Sequence, residues 1–209
     1  MDMDDSTDTR TDIGDGHTVV ETRADDGRLL STATLGPDGA LDGPFTAYGP
    51  DGAVQMRMTY RAGVAEGSAT VFLNGKPQTE MTYAAGLLEG EMRSFDAGGR
   101  LVSVVRYAGG RRHGPMECFG PDGKPLMTAA YKDDRLDGPM VEYRADGTVR
   151  RSASYRNDLL DGEVVEFHPG GSPSERTVFA AGVPVEGPQR FDDPDAPGKK
   201  GLLARLRGK

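Results

Sequence analysis

The sequence predicts an all-β protein, an elongated single twisted antiparallel sheet built from consecutive β-hairpin repeats of about 24 residues. Three observations carry this. Seven glycines, Gly43, Gly67, Gly90, Gly114, Gly138, Gly162 and Gly187, follow one another at steps of 24, 23, 24, 24, 24 and 25 residues. The first six are each followed five residues later by an aromatic (Tyr48, Phe72, Phe95, Phe119, Tyr143, Phe167) and then by a turn glycine (Gly52, Gly75, Gly99, Gly123, Gly147, Gly171). Eight residues past each turn glycine stands a second aromatic: Tyr60, Tyr83, Tyr107, Tyr131, Tyr155 and Phe179. Self-similarity at such a period marks repeat architectures, in which a unit too small to bury its own apolar face stacks on its neighbours.

In chain order, residues 1–13 are acidic, polar and free of aromatics, and are expected to form a disordered tail. Residues 14–42 read as a degenerate repeat in which Gly27 is the turn and Leu35 replaces the second aromatic. Residues 43–191 hold six repeats and a closing half-repeat. Within each, runs of about five to eight residues separate the breakers, too short for packed helices. Asp-Gly, Asn-Gly and Gly-Gly pairs accept the positive φ of tight hairpin turns.

Val54, Met56, Met58 and Tyr60 alternate with Gln55, Arg57 and Thr59, the period of a strand with one buried face. Arg151 and Glu175 interrupt this pattern in later repeats. In the first strand the apolar residue two after the anchor (Phe45, Ala69, Met92, Met116, Met140, Val164) has the opposite parity from the aromatic. That implies either a bulge or a sheet covered partly on both faces. Pro77, Pro125 and Pro173 open their second strands, where a missing donor is tolerated.

Residues 192–209 form a Pro/Gly linker and a basic amphipathic tail. In a short helix Leu202, Leu203 and Leu206 would share one side, with Lys199, Lys200, Arg205 and Arg207 around them. These residues are a candidate docking element for a partner protein or an anionic membrane surface; the alternative is a frayed tail or a cap over the last hairpin edge.

The segment from Phe95 to Leu101 resembles one unit of the tyrosine-aspartate repeats of large secreted toxin shells, but those lack the regular anchor glycine. Over all six units, the pattern Gly-x-apolar-x-x-aromatic, turn glycine, aromatic and second turn resembles the MORN repeat in the variant form common in bacteria. That resemblance implies a non-enzymatic interaction protein, grouped with antitoxin-like components of toxin–antitoxin systems. It also implies a second reading, a membrane-associated scaffold using the basic tail.

Composition narrows the field. With 36% hydrophobic residues, no Trp and 30 Gly, the chain suits a layered array better than a large globular core. Residues 43–191 carry 19 acids against 17 bases, without the basic excess a generic nucleic-acid binder needs, whereas residues 1–42 carry 11 acids against 3 bases. No apolar stretch of membrane-spanning length occurs. Cys118 is the single cysteine, so no internal disulfide forms and the cytoplasm is the expected location, at the membrane periphery if the tail docks there.

No catalytic, cofactor-binding or metal-binding residues are expected. His17, His113 and His168 lie in different repeats, Cys118 reads as a strand filler without a local base, and the recurring Asp-Gly pairs, including Asp137-Gly138 and Asp161-Gly162, are explained as turn chemistry without calcium. The second aromatics are assigned as the structural spine of the array. Tyr107→Ala is accordingly expected to cost roughly 3 kcal/mol or more through a cavity.

Overall fold

The computed structural model describes residues 7–196. Among them all regular structure is strand, in two compact units, one ending at Arg111 and the other beginning at Arg112. The first holds β1 (Thr7–Gly14), β2 (His17–Arg23), β3 (Leu29–Leu35), β4 (Leu41–Tyr48), β5 (Val54–Arg61), β6 (Val64–Leu73), β7 (Lys76–Ala84), β8 (Leu87–Leu88), β9 (Gly90–Phe95) and β10 (Leu101–Ala108). The second holds β11 (Arg111–Phe119) from its second residue on, β12 (Pro125–Lys132), β13 (Arg135–Tyr143), β14 (Val149–Arg156), β15 (Leu159–Phe167), β16 (Pro173–Ala180) and β17 (Val183–Arg190). Within each unit, strands pair antiparallel with their neighbours in sequence, as hairpin repeats require; β8 and β9 are one strand interrupted at Glu89.

Two turn types alternate. The first turn of a repeat is a three-residue loop: Gly52 N–H donates to Gly49 O, Gly49 N–H donates to Ala53 O, and Gly52 sits at φ 77°. A turn closed by a left-handed glycine in this way matches the right-handed twist of the flanking strands. Asp51 Oδ1 fixes it by accepting from Ala53 N–H at 3.0 Å. One repeat differs, with Leu73 paired to Lys76 across a two-residue Asn74-Gly75 turn. This missing residue is why one anchor step is 23. The step of 25 has its extra residue in β17, between the Ala181-Gly182 turn and Gly187, where the β16–β17 register breaks twice.

The second turn has two residues, both at positive φ, as in Ala62 (46°) with Gly63 (81°) and Asn157 (48°) with Asp158 (67°). Where an aliphatic residue follows such a turn, it rests on the next turn along the array. A Cβ on Gly86 would lie 3.2 Å from Val64 Cγ1, and one on Gly182 would lie 3.5 Å from Leu159 Cδ2. Where arginine follows the turn, at Arg111 and Arg135, the corresponding turn position of the next repeat is Asp134 or Asp158 instead of glycine.

The anchor glycines are not turn residues. In three repeats one residue of a second strand faces three of the next first strand: Thr59 opposite Glu66-Gly67-Ser68, Ala130 opposite Asp137-Gly138-Pro139, and Ser154 opposite Asp161-Gly162-Glu163. The glycine at the centre of this bulge has positive φ, 87° at Gly67 and 124° at Gly138. A Cβ there would also meet the facing residue, at 3.0 Å from Ala130 Cβ for Gly138 and 3.1 Å from Ser154 Cβ for Gly162. The explanation of Asp137-Gly138 and Asp161-Gly162 as turns is therefore corrected: both pairs lie inside strands.

The acid before the glycine has its own task. Asp42 accepts from Ala62 N–H (3.3 Å), Glu66 from Ala85 N–H (2.8 Å), Glu89 from Gly109 N–H (2.9 Å), Asp137 from Asn157 N–H (3.2 Å) and Asp161 from Ala181 N–H (3.3 Å). Each carboxylate thus holds the first residue of the neighbouring two-residue turn in its left-handed conformation. His113 takes the acid's place once, and there the turn residue Asp133 supplies the carboxylate, 3.4 Å from His113 Nδ1.

The expected disordered tail over residues 1–13 is corrected for its described part, since Thr7–Gly14 is strand β1, paired to β2 from Thr7↔Arg23 to Asp12↔Thr18. Alternating β-branched residues, Thr7, Thr9, Thr11 and Ile13, favour the strand despite the acidic composition.

Candidate functional site: two faces of the sheet

Cross-strand pairing lines up one continuous apolar row in each unit. In the first it runs Val20↔Ala33↔Phe45↔Met58↔Ala69↔Met81, and in the second Met116↔Ala129↔Met140↔Ala153↔Val164. Methionine next to alanine lets the long side chain cover the short one, and Ala69, Ala129 and Ala153 are only 4–6% exposed. They form the core together with Val20 and Val105.

The second aromatics make a parallel row on the same face, each the cross-strand partner of an anchor glycine: Gly43↔Tyr60, Gly67↔Tyr83, Gly90↔Tyr107, Gly114↔Tyr131, Gly138↔Tyr155 and Gly162↔Phe179. Tyr60 stands edge-on to Phe45 with ring centroids 6.2 Å apart and donates its hydroxyl to Met58 Sδ at 3.5 Å. Tyr83 does the same to Met81, and the Arg112 guanidinium covers Tyr131 at 4.3 Å. All six rings are half-buried, and among the described residues no large side chain is fully buried. The spine therefore lines an open face rather than a sealed core.

The parity conflict reflects two occupied faces, and the bulge beside it lies in the second strand rather than the first. Ala47↔Met56 is followed by Tyr48↔Val54, which leaves Gln55 as an extra residue in the second strand, and most other repeats break register at the same place. The first aromatic meanwhile lies on the opposite face: Phe72 sits under the Arg57 guanidinium at 5.4 Å, and Arg57 pairs with Thr70. That second face is polar. In the first unit it forms a groove of about 560 Å³ lined by Ser68, Thr70, Glu80, Thr82, Glu91, Arg93 and Arg106, beside a smaller hollow of about 220 Å³ lined by Thr46, Arg57 and Thr59.

Arg151, which interrupts the apolar pattern, is placed between two acids across its strand neighbours, 3.3 Å from Glu142 Oε1 and 3.2 Å from Glu166 Oε1. Burial raises the Glu142 pKa, but its hydrogen bond to Arg150 and the charge of Arg151 outweigh this and leave it below the usual range. His17 lies 3.0 Å from Asp42 Oδ2, a hydrogen bond that raises the histidine above its ordinary pKa and lowers the aspartate. Burial raises the Cys118 thiol, opposite to what a nucleophile needs. The three histidines do not converge: His113 faces Asp133, and His168 Nε2 lies 3.0 Å from Phe191 O.

Among the described residues no group of three or more His, Cys, Asp or Glu side chains is arranged to hold a metal, and no helix is long and apolar enough to cross a membrane. The tail candidates Leu202, Leu203, Arg205, Leu206 and Arg207 lie outside the described residues. Sequence reasoning missed the acid before each anchor glycine, although its signal was present as an acid in every repeat but the one beginning at His113.

No family model and no curated protein matches the chain. Among solved structures, about half of it (51%) is similar to part of the accessory secretory protein 1, 2 and 3 complex of Streptococcus pneumoniae, at 15% identity, 20% coverage of that chain and a TM-score of 0.34. It is also similar to part of a GtfA/B complex bound to UDP and GlcNAc (17% identity, 67% of this chain, 25% of that chain, TM-score 0.21). A third likeness is to TarM (8% identity, 73% of this chain, 21% of that chain, TM-score 0.23). The chain spans a quarter or less of the length of these proteins, and likenesses this distant assign it neither a family nor an activity.

Proposed function

We propose that this chain is a non-enzymatic, protein-binding repeat protein of the bacterial MORN-variant type, acting as an antitoxin-like component that covers the surface of a partner protein. The observation that carries this is the face bearing the methionine and tyrosine rows. It is apolar, repeats with the array, and in neither unit does a helix or second sheet lie over it among the described residues. Half-exposed methionines adapt to irregular partners, and a solenoid-like face offers many equivalent contacts. Blocking would be steric, with the acidic residues 1–42 standing in for an anionic substrate of the partner.

Val71, 37% exposed and paired with Met56 on this face, gives a substitution that the fold tolerates. Tagged wild type, Val71→Glu and the polar-face control Thr82→Glu are to be purified from the native host, after circular dichroism has verified the sheet. A stoichiometric protein partner retained by Thr82→Glu and lost by Val71→Glu is the expected result. Equal recovery with both variants, or no partner with wild type, overturns the proposal.

A further inference from the structure

The first and last strands are treated differently. β17 is fully exposed but carries Pro184 and Pro188, and its pairing with β16 is irregular, devices that stop a further strand from adding to an edge. β1 has no proline and pairs with β2 without interruption from Thr7 to Asp12, and all eight of its residues are exposed. β2 is the strand that pairs with it.

On one face of β1 lie Asp8, Arg10 and Asp12, opposite Thr22, Val20 and Thr18. Asp8 accepts from the Thr22 hydroxyl at 2.9 Å and Asp12 from Gly14 N–H at 2.8 Å, so both acids are held by their own chain. Arg10 faces Val20 and forms no ion pair among the described residues. A guanidinium on the apolar side of an edge strand discourages a neutral or basic strand from adding there, whereas a strand presenting a carboxylate at that place would be held.

β1 itself is such a strand. We propose that β1 is a self-complementary edge through which two copies of this chain pair antiparallel about a twofold axis. In an antiparallel pair, directly opposite residues share a face, and only registers that set identical residues opposite one another satisfy the twofold axis. Centred on Thr9, the pairing sets Asp8 opposite Arg10 twice; centred on Thr11, it sets Arg10 opposite Asp12 twice. Centred on Arg10, it sets two guanidiniums opposite each other, which is unfavourable. The threonines on the other face supply the β-branched pairs that suit cross-strand contact. This association goes beyond the partner-binding reading: it adds a strand at the edge of β1 rather than a layer over the sheet, with Asp8, Arg10 and Asp12 on the same side as Val20.

Sedimentation of the full chain across a range of loading concentrations tests the idea. Wild type is expected to rise from 22.3 kDa toward twice that mass, and Arg10→Asp to stay at 22.3 kDa, because all opposed pairs then become like-charged. Restoring opposite charges by Asp8→Arg with Arg10→Asp, or Arg10→Asp with Asp12→Arg, returns the larger mass in the register that the chain uses. In a Cys118→Ser background, Thr9→Cys or Thr11→Cys cross-links two copies on mild oxidation and Arg10→Cys does not. Val71→Glu, on the other proposed surface, leaves the mass unchanged. Wild type at 22.3 kDa throughout, or association indifferent to Arg10→Asp, overturns the proposal.

Discussion

Gly138→Ala separates the two reasons for the anchor glycine. At φ 124° an L side chain is strained, which costs on the order of 1–3 kcal/mol. The new Cβ would also lie 3.0 Å from Ala130 Cβ, inside the 3.5–4.0 Å carbon optimum, so a strand must shift, at about 1–3 kcal/mol more. We expect a total near 2–5 kcal/mol, read as the fall in urea midpoint multiplied by the slope. Ala130→Gly removes the contact but not the strain, so the double variant should recover about 1–3 kcal/mol relative to the sum of the singles. Gly90, at φ 84° with nothing within 4 Å of a built Cβ, gives the strain alone, and Gly90→Ala should cost about 1–2 kcal/mol. Additivity of Gly138→Ala with Ala130→Gly would refute the steric half of this account, and a neutral Gly90→Ala would refute the conformational half.

Tyr107 is half-buried, so Tyr107→Ala should cost about 2 kcal/mol rather than the larger penalty of a sealed core; calorimetry decides, and an unchanged Tm would mean that the ring packs on nothing. The His17 imidazole should titrate above about 6.5 by NMR and return toward that value in Asp42→Asn. Its pairing therefore stabilises fully below the unfolded pKa and is lost as pH rises through the higher folded one. Glu142 has the opposite sign: its folded pKa is lowered, so the stability that Glu142→Gln removes should be present above about pH 4.5 and vanish as pH falls through the folded value, as denaturation at several pH values will show.

The hairpin repeat was legible because its signals are local. A glycine in a turn, or an aromatic at fixed offset, needs only the few residues around it, and the six in-phase copies reinforce one another. What stayed hidden depends on register. Asp137-Gly138 and Asp51-Gly52 are the same dipeptide, yet one lies in a strand bulge and the other in a loop; the difference is made by what stands opposite, Ala130 in the first case and the turn's own carbonyls in the second. The parity conflict has a related origin: Phe45 and Tyr48 serve opposite faces, and which face each serves is set by the strand across from it, where Gln55 is the extra residue.

Arg151 looked like a defect until pairing placed Glu142 and Glu166 on either side of it. β1 was missed for a related reason: its acidic composition suggested a tail, while its period-two pattern had too few apolar residues to be read as a strand. The same scarcity of apolar residues is what leaves its edge exposed, and the order of its charges is what would let a second copy recognise it.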